Sequence, residues 1–214
     1  MTGSITFIGA GRMGEALIAG VLKAGQEPSS VLIVEPSSAR SDAVVAQYGV
    51  RAVDLAAAGQ AELIVLAVKP DQIVKVCASL APNLSANATV VSIAAGVTTA
   101  TIEAALPDGA VVVRVMPNTP AFVGEGMSAM SAGHVATKQH LDAVEKVLTT
   151  VGKVVRVPEN KQDAVTAISG SGPAYFFYLV EAMIEAGVQL GLPRDTAREL
   201  AVQTAVGAGQ LMGQ

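Results

Sequence analysis

Short apolar runs alternate with longer amphipathic segments through the first two thirds of the chain. The run over residues 63–68 is continuously apolar, which is typical of strands in a parallel sheet covered on both faces. Such runs predict strands over 5–8, 31–34, 63–68, 89–93, 111–115, 127–130 and 153–157. The segments between them predict helices over 12–24, 37–48, 70–80, 98–106 and 137–151. The pattern therefore predicts an α/β domain built on a doubly wound sheet.

The pattern changes near Glu159, after which no strand is predicted. Helical segments are expected over 162–168, 174–190 and 194–211, with a glycine-rich break at 169–172. The change in period divides the chain into an α/β domain over 1–158 and an all-α domain over 159–214. After Glu199 the chain has no charged residue, and residues 200–212 form an Ala/Gly-rich helical stretch that is apolar nearly all round. Such a helix needs burial by a partner subunit or by residues beyond 214.

A glycine motif stands between the first predicted strand and the first predicted helix. Gly9 to Gly14 match G-x-G-x-x-G, and this strand–turn–helix context is the one in which the motif binds a dinucleotide. Gly9 makes the tight turn, Gly11 allows backbone to approach a pyrophosphate, and Gly14 allows the helix to pack on the strand. The coenzyme-binding residues predicted here are Gly9, Ala10, Gly11, Arg12, Met13 and Gly14.

The end of the second strand should read the 2′ position of the coenzyme ribose. Glu35 lies about 20 residues past the last glycine, where an acid binds a 2′-hydroxyl and favours NAD. Ser37, Ser38 and Arg40 follow, and an arginine with hydroxyls could hold a 2′-phosphate instead. These residues leave NAD and NADP equally open.

The remaining loops at the carboxyl ends of the strands should also face the coenzyme. One contains a cation, Lys69, one has small residues that suit a nicotinamide, and one is a proline-rigidified loop that presents Asn118. The Ser-Gly-Ser-Gly-Pro break opens a new helix, whose N-terminus suits a substrate carboxylate. The further candidates are Ala67, Val68, Lys69, Pro70, Ala94, Ala95 and Gly96 for the coenzyme, Asn118 in the third loop that faces it, and Ser169, Gly170, Ser171 and Gly172 for a substrate carboxylate.

Composition excludes several other classes. The net charge of −4 without a basic cluster argues against nucleic-acid binding. The uncharged stretch over 76–102 is interrupted by polar residues and proline, so no membrane span is expected. The single cysteine, Cys77, together with the absence of a signal-peptide pattern, predicts a reducing cytoplasm, with Cys77 as a small buried apolar residue.

Conventional catalytic groups are not evident. His134 and His140 lie away from the predicted strand ends, no histidine or cysteine cluster has metal spacing, and Glu181 and Glu185 lack a third ligand. No metal is therefore expected, and the catalytic residues stay unassigned. A dehydrogenase without an evident acid or base suits a substrate that is already cationic, such as an iminium.

Taken together, the motifs resemble those of pyrroline-5-carboxylate reductases. The matching segments are FIGAGRMGEA (7–16), AVKP (67–70), VVSIAAGVT (90–98), RVMPNTPAFVGEGM (114–127), DAVTAISGSGPAYFF (163–177) and GLPRDTA (191–197). The resemblance implies reduction of 1-pyrroline-5-carboxylate to L-proline, with NADPH as the usual coenzyme and NADH as the alternative. It also implies a Rossmann-type domain followed by a helical domain that forms a homodimer, often within a decamer.

The resemblance carries over by position. It implies coenzyme contacts from residues 9–14, 37–40, 67–70 and 94–96, and substrate contacts near Asn118 and over 169–172. Members of that family continue to a Ser-Pro-Gly-Gly-Thr-type motif whose threonine contacts substrate, so a C-terminally incomplete helical domain is expected here. Two alternatives remain at this stage. One is a β-hydroxyacid dehydrogenase, which needs a catalytic lysine where none follows Lys161. The other is a non-catalytic dinucleotide-binding module.

Overall fold

The computed structural model describes residues 3–213. The chain forms two compact units, one that ends at Gly170 and one that begins at Ser171. No helix within residues 3–213 has the length and apolar character needed to cross a membrane.

The first unit is built on one eight-stranded sheet. Its strands are β1 (Ile5–Ile8), β2 (Val31–Val34), β3 (Arg51–Ala52), β4 (Leu63–Leu66), β5 (Thr89–Ser92), β6 (Val111–Met116), β7 (Gly126–Ala132) and β8 (Gly152–Arg156). Their order in the sheet is β3-β2-β1-β4-β5-β6-β7-β8. Every neighbouring pair is parallel except β6 and β7, which are antiparallel.

Helices cover both faces of this sheet. Those of the first unit are α1 (Arg12–Lys23), α2 (Ser38–Tyr48), α3 (Leu55–Ala58), α4 (Ile73–Leu80), α5 (Thr99–Glu103), α6 (Lys138–Leu148) and α7 (Gln162–Val165). Several have local start signals of the expected kind, since Asp54 accepts from Ala57 N–H at 2.8 Å and Thr98 accepts from Thr101 N–H at 3.2 Å. A π-helical turn, Thr166–Gly170, follows α7 and closes the unit.

Short 3₁₀ turns link several of these elements. They are Pro28–Ser30, Pro70–Gln72, Ala81–Asn83, Thr119–Val123, Thr149–Val151 and Glu159–Lys161. Four of them carry proline in their first turn. Proline is tolerated there because an N–H in the first turn would have no acceptor within the helix.

Two apolar clusters lie on opposite faces of the sheet. Phe7 belongs to one and Ile8 to the other, and Val65 and Leu66 divide in the same way, because successive side chains of a strand point to opposite faces. All four are at least 97 % buried. The uninterrupted apolar runs in the sequence are therefore explained by burial on both sides.

The strand order reverses its direction of progress once, beside β1. From β1 the chain runs outward to β2 and β3, then crosses to β4 on the other side of β1. In open α/β sheets, ligands bind outside the carboxyl ends of the strands at such a reversal. Here the reversal lies between β1 and β4.

The second unit consists of two helices, α8 (Gly172–Gln189) and α9 (Arg194–Met212). They pack through the buried residues Ile184, Ala197 and Ala201. A Cβ on Gly187 would lie 2.9 Å from the Ala197 Cβ, so the glycine allows the helices to approach closely. Four of the seven aromatic residues of the chain stand in sequence over 175–178 on α8, and each is more than half exposed.

The fold class and nearly all predicted elements agree with the structure. Two elements were missed: β3 has only two exposed residues, and α3 has a single turn. The predicted helix over 70–80 begins as a 3₁₀ turn, and the one over 162–168 becomes π-helical after Val165. The domain boundary at 158/159 stays a prediction; the two compact units separate at 170/171.

Candidate coenzyme and substrate site

The turns after β1, β2, β4, β5 and β6 emerge at one edge of the sheet, because these strands run parallel. All predicted coenzyme residues lie in these turns or in the helical turns that follow them. The Gly9 N–H donates to Val34 O and the Ala67 N–H donates to Ile8 O, both at 2.8 Å. The three turns nearest the reversal are thus held together by backbone hydrogen bonds.

The three glycines of the motif have different surroundings. Gly9 has φ +96°, and a Cβ there would lie 2.6 Å from Ala67 O. A Cβ on Gly14 would lie 2.5 Å from Gly9 O. By contrast, Gly11 has nothing within 4 Å of a Cβ position. Gly9 and Gly14 are therefore needed for packing, whereas the space over Gly11 is an open cradle that fits a pyrophosphate.

The start of α1 faces the same space. Gly11 occupies the N-cap position and has no side chain to accept from the N–H groups of the first turn. These N–H groups and the helix dipole favour an anion. The residues present therefore fit the phosphates of a dinucleotide coenzyme.

The ribose end of the predicted site is tied to the same turn. Glu35 accepts from Ala10 N–H at 2.9 Å and from Ser37 N–H at 3.0 Å. Arg40 donates from Nε to Ala10 O at 2.8 Å and forms an ion pair with Glu15. Ser37 is the N-cap of α2, and Ser38 is its first residue. The structure thus brings together the residues predicted to read the 2′ position.

The turns at 67–70 and 94–96 are the two predicted to reach the nicotinamide. Their residues are small, exposed or next to open space. Lys69 is exposed and immediately precedes a 3₁₀ turn that starts at Pro70. Gly96 has φ +76° and open space at its Cβ position. The fully buried Ser92 accepts from Ala94 N–H at 3.3 Å, which fixes the start of this second turn.

Asn118 joins three segments of the first unit. Its Nδ2 donates to Ser169 O at 3.2 Å and approaches Ser169 Oγ at 3.4 Å, while its Oδ1 accepts from Met127 N–H at 2.8 Å. Close by, a Cβ on Gly170 would lie 2.6 Å from the terminal methyl of Met116. Hydrogen bonds therefore hold the turn after β6 and the Ser169–Gly170 segment together.

Ser171 and Gly172 belong to the second unit. Ser171 stands at the N-cap of α8, but its side chain makes no capping hydrogen bond, and Pro173 lies in the first turn. Their predicted role at the substrate stays a prediction.

Arg12 contacts the loop that follows β6. Its Cζ lies 4.8 Å from the centre of the Phe122 ring, a cation–π contact. This contact places the 3₁₀ turn Thr119–Val123 beside the start of α1, so the glycine turn and the predicted substrate loop are neighbours.

A cluster around Glu159 was not predicted from the sequence. Glu159 accepts from the Thr99 N–H and hydroxyl, both at 2.7 Å, and from Arg114 Nη1 at 3.2 Å. Burial disfavours its ionisation, yet these hydrogen bonds and the nearby guanidinium hold the pKa of Glu159 below its ordinary value. Arg114 is 5 % exposed in the middle of β6, and a charged residue inside a strand was the available signal.

The other side chains considered for catalysis or metal binding make structural contacts. His140 accepts from Thr137 N–H at 3.1 Å in a capping box, and His134 lies in a turn. Cys77 is buried, and burial raises the pKa of its thiol to about 11, so it is a small apolar residue as predicted. Arg194 pairs with both Glu181 and Glu185. Within residues 3–213 no cluster of three or more histidine, cysteine or acidic side chains could hold a metal ion.

A cavity of about 730 Å³ lies at the opposite edge of the sheet. It is lined by residues at the amino ends of β1, β4, β5 and β6 and by side chains of α6. Because the glycine turn and the strand carboxyl ends lie at the other edge, this cavity is not the coenzyme site.

Comparisons with known proteins agree with this geometry. A family model described as pyrroline-5-carboxylate reductase dimerisation matches residues 159–214, and one described as NADP oxidoreductase, coenzyme F420-dependent, matches 4–96. The pyrroline-5-carboxylate reductase of Corynebacterium melassecola is 44 % identical over 98 % of this chain and 79 % of its own length.

Solved structures give the same result. The pyrroline-5-carboxylate reductase of Coxiella burnetii aligns with a TM-score of 0.93 and 37 % identity, covering 99 % of this chain and 80 % of its own. The Plasmodium falciparum pyrroline carboxylate reductase, solved with NADP bound, aligns with a TM-score of 0.88 and 29 % identity, covering all of this chain and 79 % of its own.

Proposed function

The chain belongs to the family of pyrroline-5-carboxylate reductases, and from this premise we propose how its residues bind the coenzyme and the substrate. It is an oxidoreductase that reduces 1-pyrroline-5-carboxylate to L-proline, the last step of proline biosynthesis, and its coenzyme is NADPH. The family assignment decides against the hydroxyacid dehydrogenase and the non-catalytic module.

The glycine turn carries the coenzyme part of this proposal. The N–H groups of residues 12–14, at the start of α1 beside the open space at Gly11, would hold the pyrophosphate. Residues 35–40 would hold the adenosine ribose, and the turns at 67–70 and 94–96 would hold the nicotinamide half. When bound, NADPH supplies the hydride.

The substrate lies beside Asn118 and Ser169 in this proposal. The turn at 169–172 binds the substrate carboxylate through its N–H groups. A protonated C=N bond takes the hydride at carbon, its π electrons pass to nitrogen, and no new negative charge develops. The protein therefore needs to orient the substrate and exclude water rather than donate a proton in that step.

The decisive experiment is an assay of the purified chain with 1-pyrroline-5-carboxylate. We expect loss of NADPH absorbance only when the substrate is present, with one proline formed per NADPH oxidised. NADPH binding without proline formation would overturn the proposed activity. The proposed coenzyme site is tested with Gly11→Ala, which places a methyl at the glycine turn. Unchanged proline formation in this variant would overturn the site.

We also propose that α8 mediates self-association, as a homodimer or within a larger ring such as a decamer. The support is its exposed apolar surface, on which Phe176, Phe177 and Tyr178 are 58 %, 68 % and 79 % exposed. Large exposed apolar patches mark interaction sites. Phe177→Glu should lower the mass measured by light scattering, whereas Val74→Glu, a half-exposed apolar position on α4, should not.

Location in the cytoplasm stays a prediction from the sequence.

A further inference from the structure

Glu159 holds the start of α5 through two hydrogen bonds. Its carboxylate accepts from the N–H and from the hydroxyl of Thr99, both at 2.7 Å. Thr99 is the first residue of α5 and follows the turn at 94–98, of which residues 94–96 would hold the nicotinamide. The end of that turn is therefore fixed by a side chain 60 positions later in the chain.

Residues 159–169, which we call the bridging segment, are held on β6 at both ends. At the start, Glu159 accepts from Nη1 of Arg114, a residue within β6, at 3.2 Å. At the end, the carbonyl of Ser169 accepts from Nδ2 of Asn118, in the turn after the same strand, at 3.2 Å. One strand therefore holds both Glu159 and the residue proposed to bind substrate.

The middle of the bridging segment is held as well. Gln162 is fully buried and donates to Ser131 Oγ of β7 at 2.8 Å. The hydroxyl of Thr166 then donates to the carbonyl of Gln162 at 2.9 Å. The bridging segment is thus a fixed reference against which Glu159 places the turn at 94–98.

The carboxylate of Glu159 is charged. Burial opposes its ionisation, yet the Thr99 donors and the Arg114 guanidinium hold the pKa of Glu159 below its ordinary value. Hydrogen bonds to a charged acceptor are shorter and stronger than neutral ones. Arg114 is 5 % exposed, and the exposed Asp163, at 4.0 Å, is its second counter-charge. The position of Thr99 relative to β6 is therefore well defined.

Resting on the coenzyme and substrate sites proposed above, we propose that Glu159 is a positioning residue for hydride transfer. It holds the turn at 94–96 at a set distance from the Ser169–Gly170 segment, and it acts through Thr99 and Arg114 without exchanging a proton. Hydride transfer depends steeply on this distance, because a displacement of about 1 Å can lower a rate roughly 100-fold.

Three variants separate position from charge and stability. Thr99→Val keeps the shape of the side chain but removes the hydroxyl that donates to Glu159. Thr101→Val, the control, removes an exposed hydroxyl on the same helix that contacts Thr98 instead. Glu159→Gln is the conservative variant, since its amide can still accept from the Thr99 N–H and donate to the Thr99 hydroxyl.

Hydrogen exchange of the full chain without coenzyme reports whether the turn is held. We expect faster amide exchange over residues 94–99 in Thr99→Val than in the unchanged chain, and no change in Thr101→Val. Equal exchange in Thr99→Val and the unchanged chain would overturn the inference, because the hydroxyl would then not hold the turn.

Single-turnover mixing of the NADPH-loaded chain with 1-pyrroline-5-carboxylate reports whether the position matters. Loss of folded molecules lowers the amplitude of NADPH oxidation but not its rate constant, so lower stability of a variant does not obscure the result. We expect the rate constant of Thr99→Val to fall roughly 10-fold, with the NADPH dissociation constant within about threefold. Thr101→Val and Glu159→Gln should stay within about threefold of the unchanged rate constant.

The two proposals fail in different ways. If the unchanged chain forms no proline, the proposed function fails and this inference with it. If the unchanged chain is active but Thr99→Val keeps its rate constant, only this inference is overturned. A loss in Glu159→Gln as large as that in Thr99→Val also overturns it, because the charge of Glu159 rather than its position would then matter.

Discussion

Asn118 donates its side-chain N–H to the carbonyl of Ser169, a residue 51 positions later in the chain. The same side chain accepts from Met127 N–H, so its Oδ1 and one N–H of its Nδ2 are both hydrogen-bonded. Asn118 therefore positions the Ser169–Gly170 segment, and any effect on substrate passes partly through that segment.

Replacing Asn118 with aspartate should separate these roles. The carboxylate still accepts from Met127 N–H but faces the carbonyl of Ser169 with no hydrogen to donate, which costs about 1–3 kcal/mol of unfolding free energy. If the Ser169–Gly170 segment binds substrate as proposed, kcat/KM should fall more than about tenfold, since a displaced segment no longer orients the substrate. Coenzyme affinity should stay within about twofold, because the glycine turn is not altered.

Asn87→Asp is the control, because Asn87 is an exposed asparagine near the amino ends of the strands. It should change neither stability nor kcat/KM. Equal losses in both variants would contradict a positioning role for Asn118.

The glycines at 11 and 14 should respond differently to alanine. Gly11→Ala adds a methyl to open space at an ordinary backbone angle, so stability should fall only by the few tenths of a kcal/mol, roughly, that alanine costs at an N-cap, while NADPH affinity falls. Gly14→Ala forces a methyl onto the carbonyl of Gly9, so stability should fall by about 1–3 kcal/mol and affinity should fall too. Thermal unfolding and coenzyme titration of the two variants measure both effects. A stability loss in Gly11→Ala as large as that in Gly14→Ala would refute the open space at Gly11.

Glu159 should contribute to stability in a pH-dependent way. Its pKa is lowered in the folded chain, so its contribution is present above the unfolded pKa of about 4.3 and is lost as the pH falls through the folded value. Glu159→Gln leaves Arg114 buried without its nearest counter-charge and should cost about 2 kcal/mol near neutral pH. The difference from the unchanged chain should shrink below about pH 4.

Urea unfolding at several pH values measures this difference. Asp108→Asn, an exposed carboxylate in a loop, should follow the unchanged chain at every pH. A constant difference between Glu159→Gln and the unchanged chain across the acid range would exclude ionisation of Glu159 as the cause.

Gln162 offers a test of buried polarity. It is fully buried, its Nε2 donates to Ser131 Oγ at 2.8 Å, and within the described residues its Oε1 has no hydrogen-bond partner. Because an unsatisfied buried carbonyl costs about 1–3 kcal/mol, Gln162→Met should be neutral or stabilising. Chemical denaturation would show this, and a loss above about 2 kcal/mol would indicate that the amide makes a needed interaction.

Elements with a strong local signal were predictable, and contacts distant in sequence were not. The strand at 63–66 is apolar on both faces and the glycine motif stands directly after β1, so both follow from neighbouring residues. The two exposed residues of β3 carry no such pattern. The reversed direction of β7 and the contacts of Glu159 depend on partners that lie far away in the chain, and residue spacing alone does not reveal them.

The π-helical turn at 166–170 has a consequence for insertions and deletions. A π-turn holds one residue more than the α-helical turn it replaces. The residues after it are therefore displaced by one position from where a continuous α-helix would place them. Loss of a single residue there would let α-helix continue from Gln162, and each residue of α-helix turns the backbone by about 100°. Ser169 would then rotate away from Asn118 although every residue of both motifs remained. The spacing between Gln162 and Ser169 is thus as much a determinant of this site as the residues themselves, and homologous chains with a different spacing there need a compensating change elsewhere.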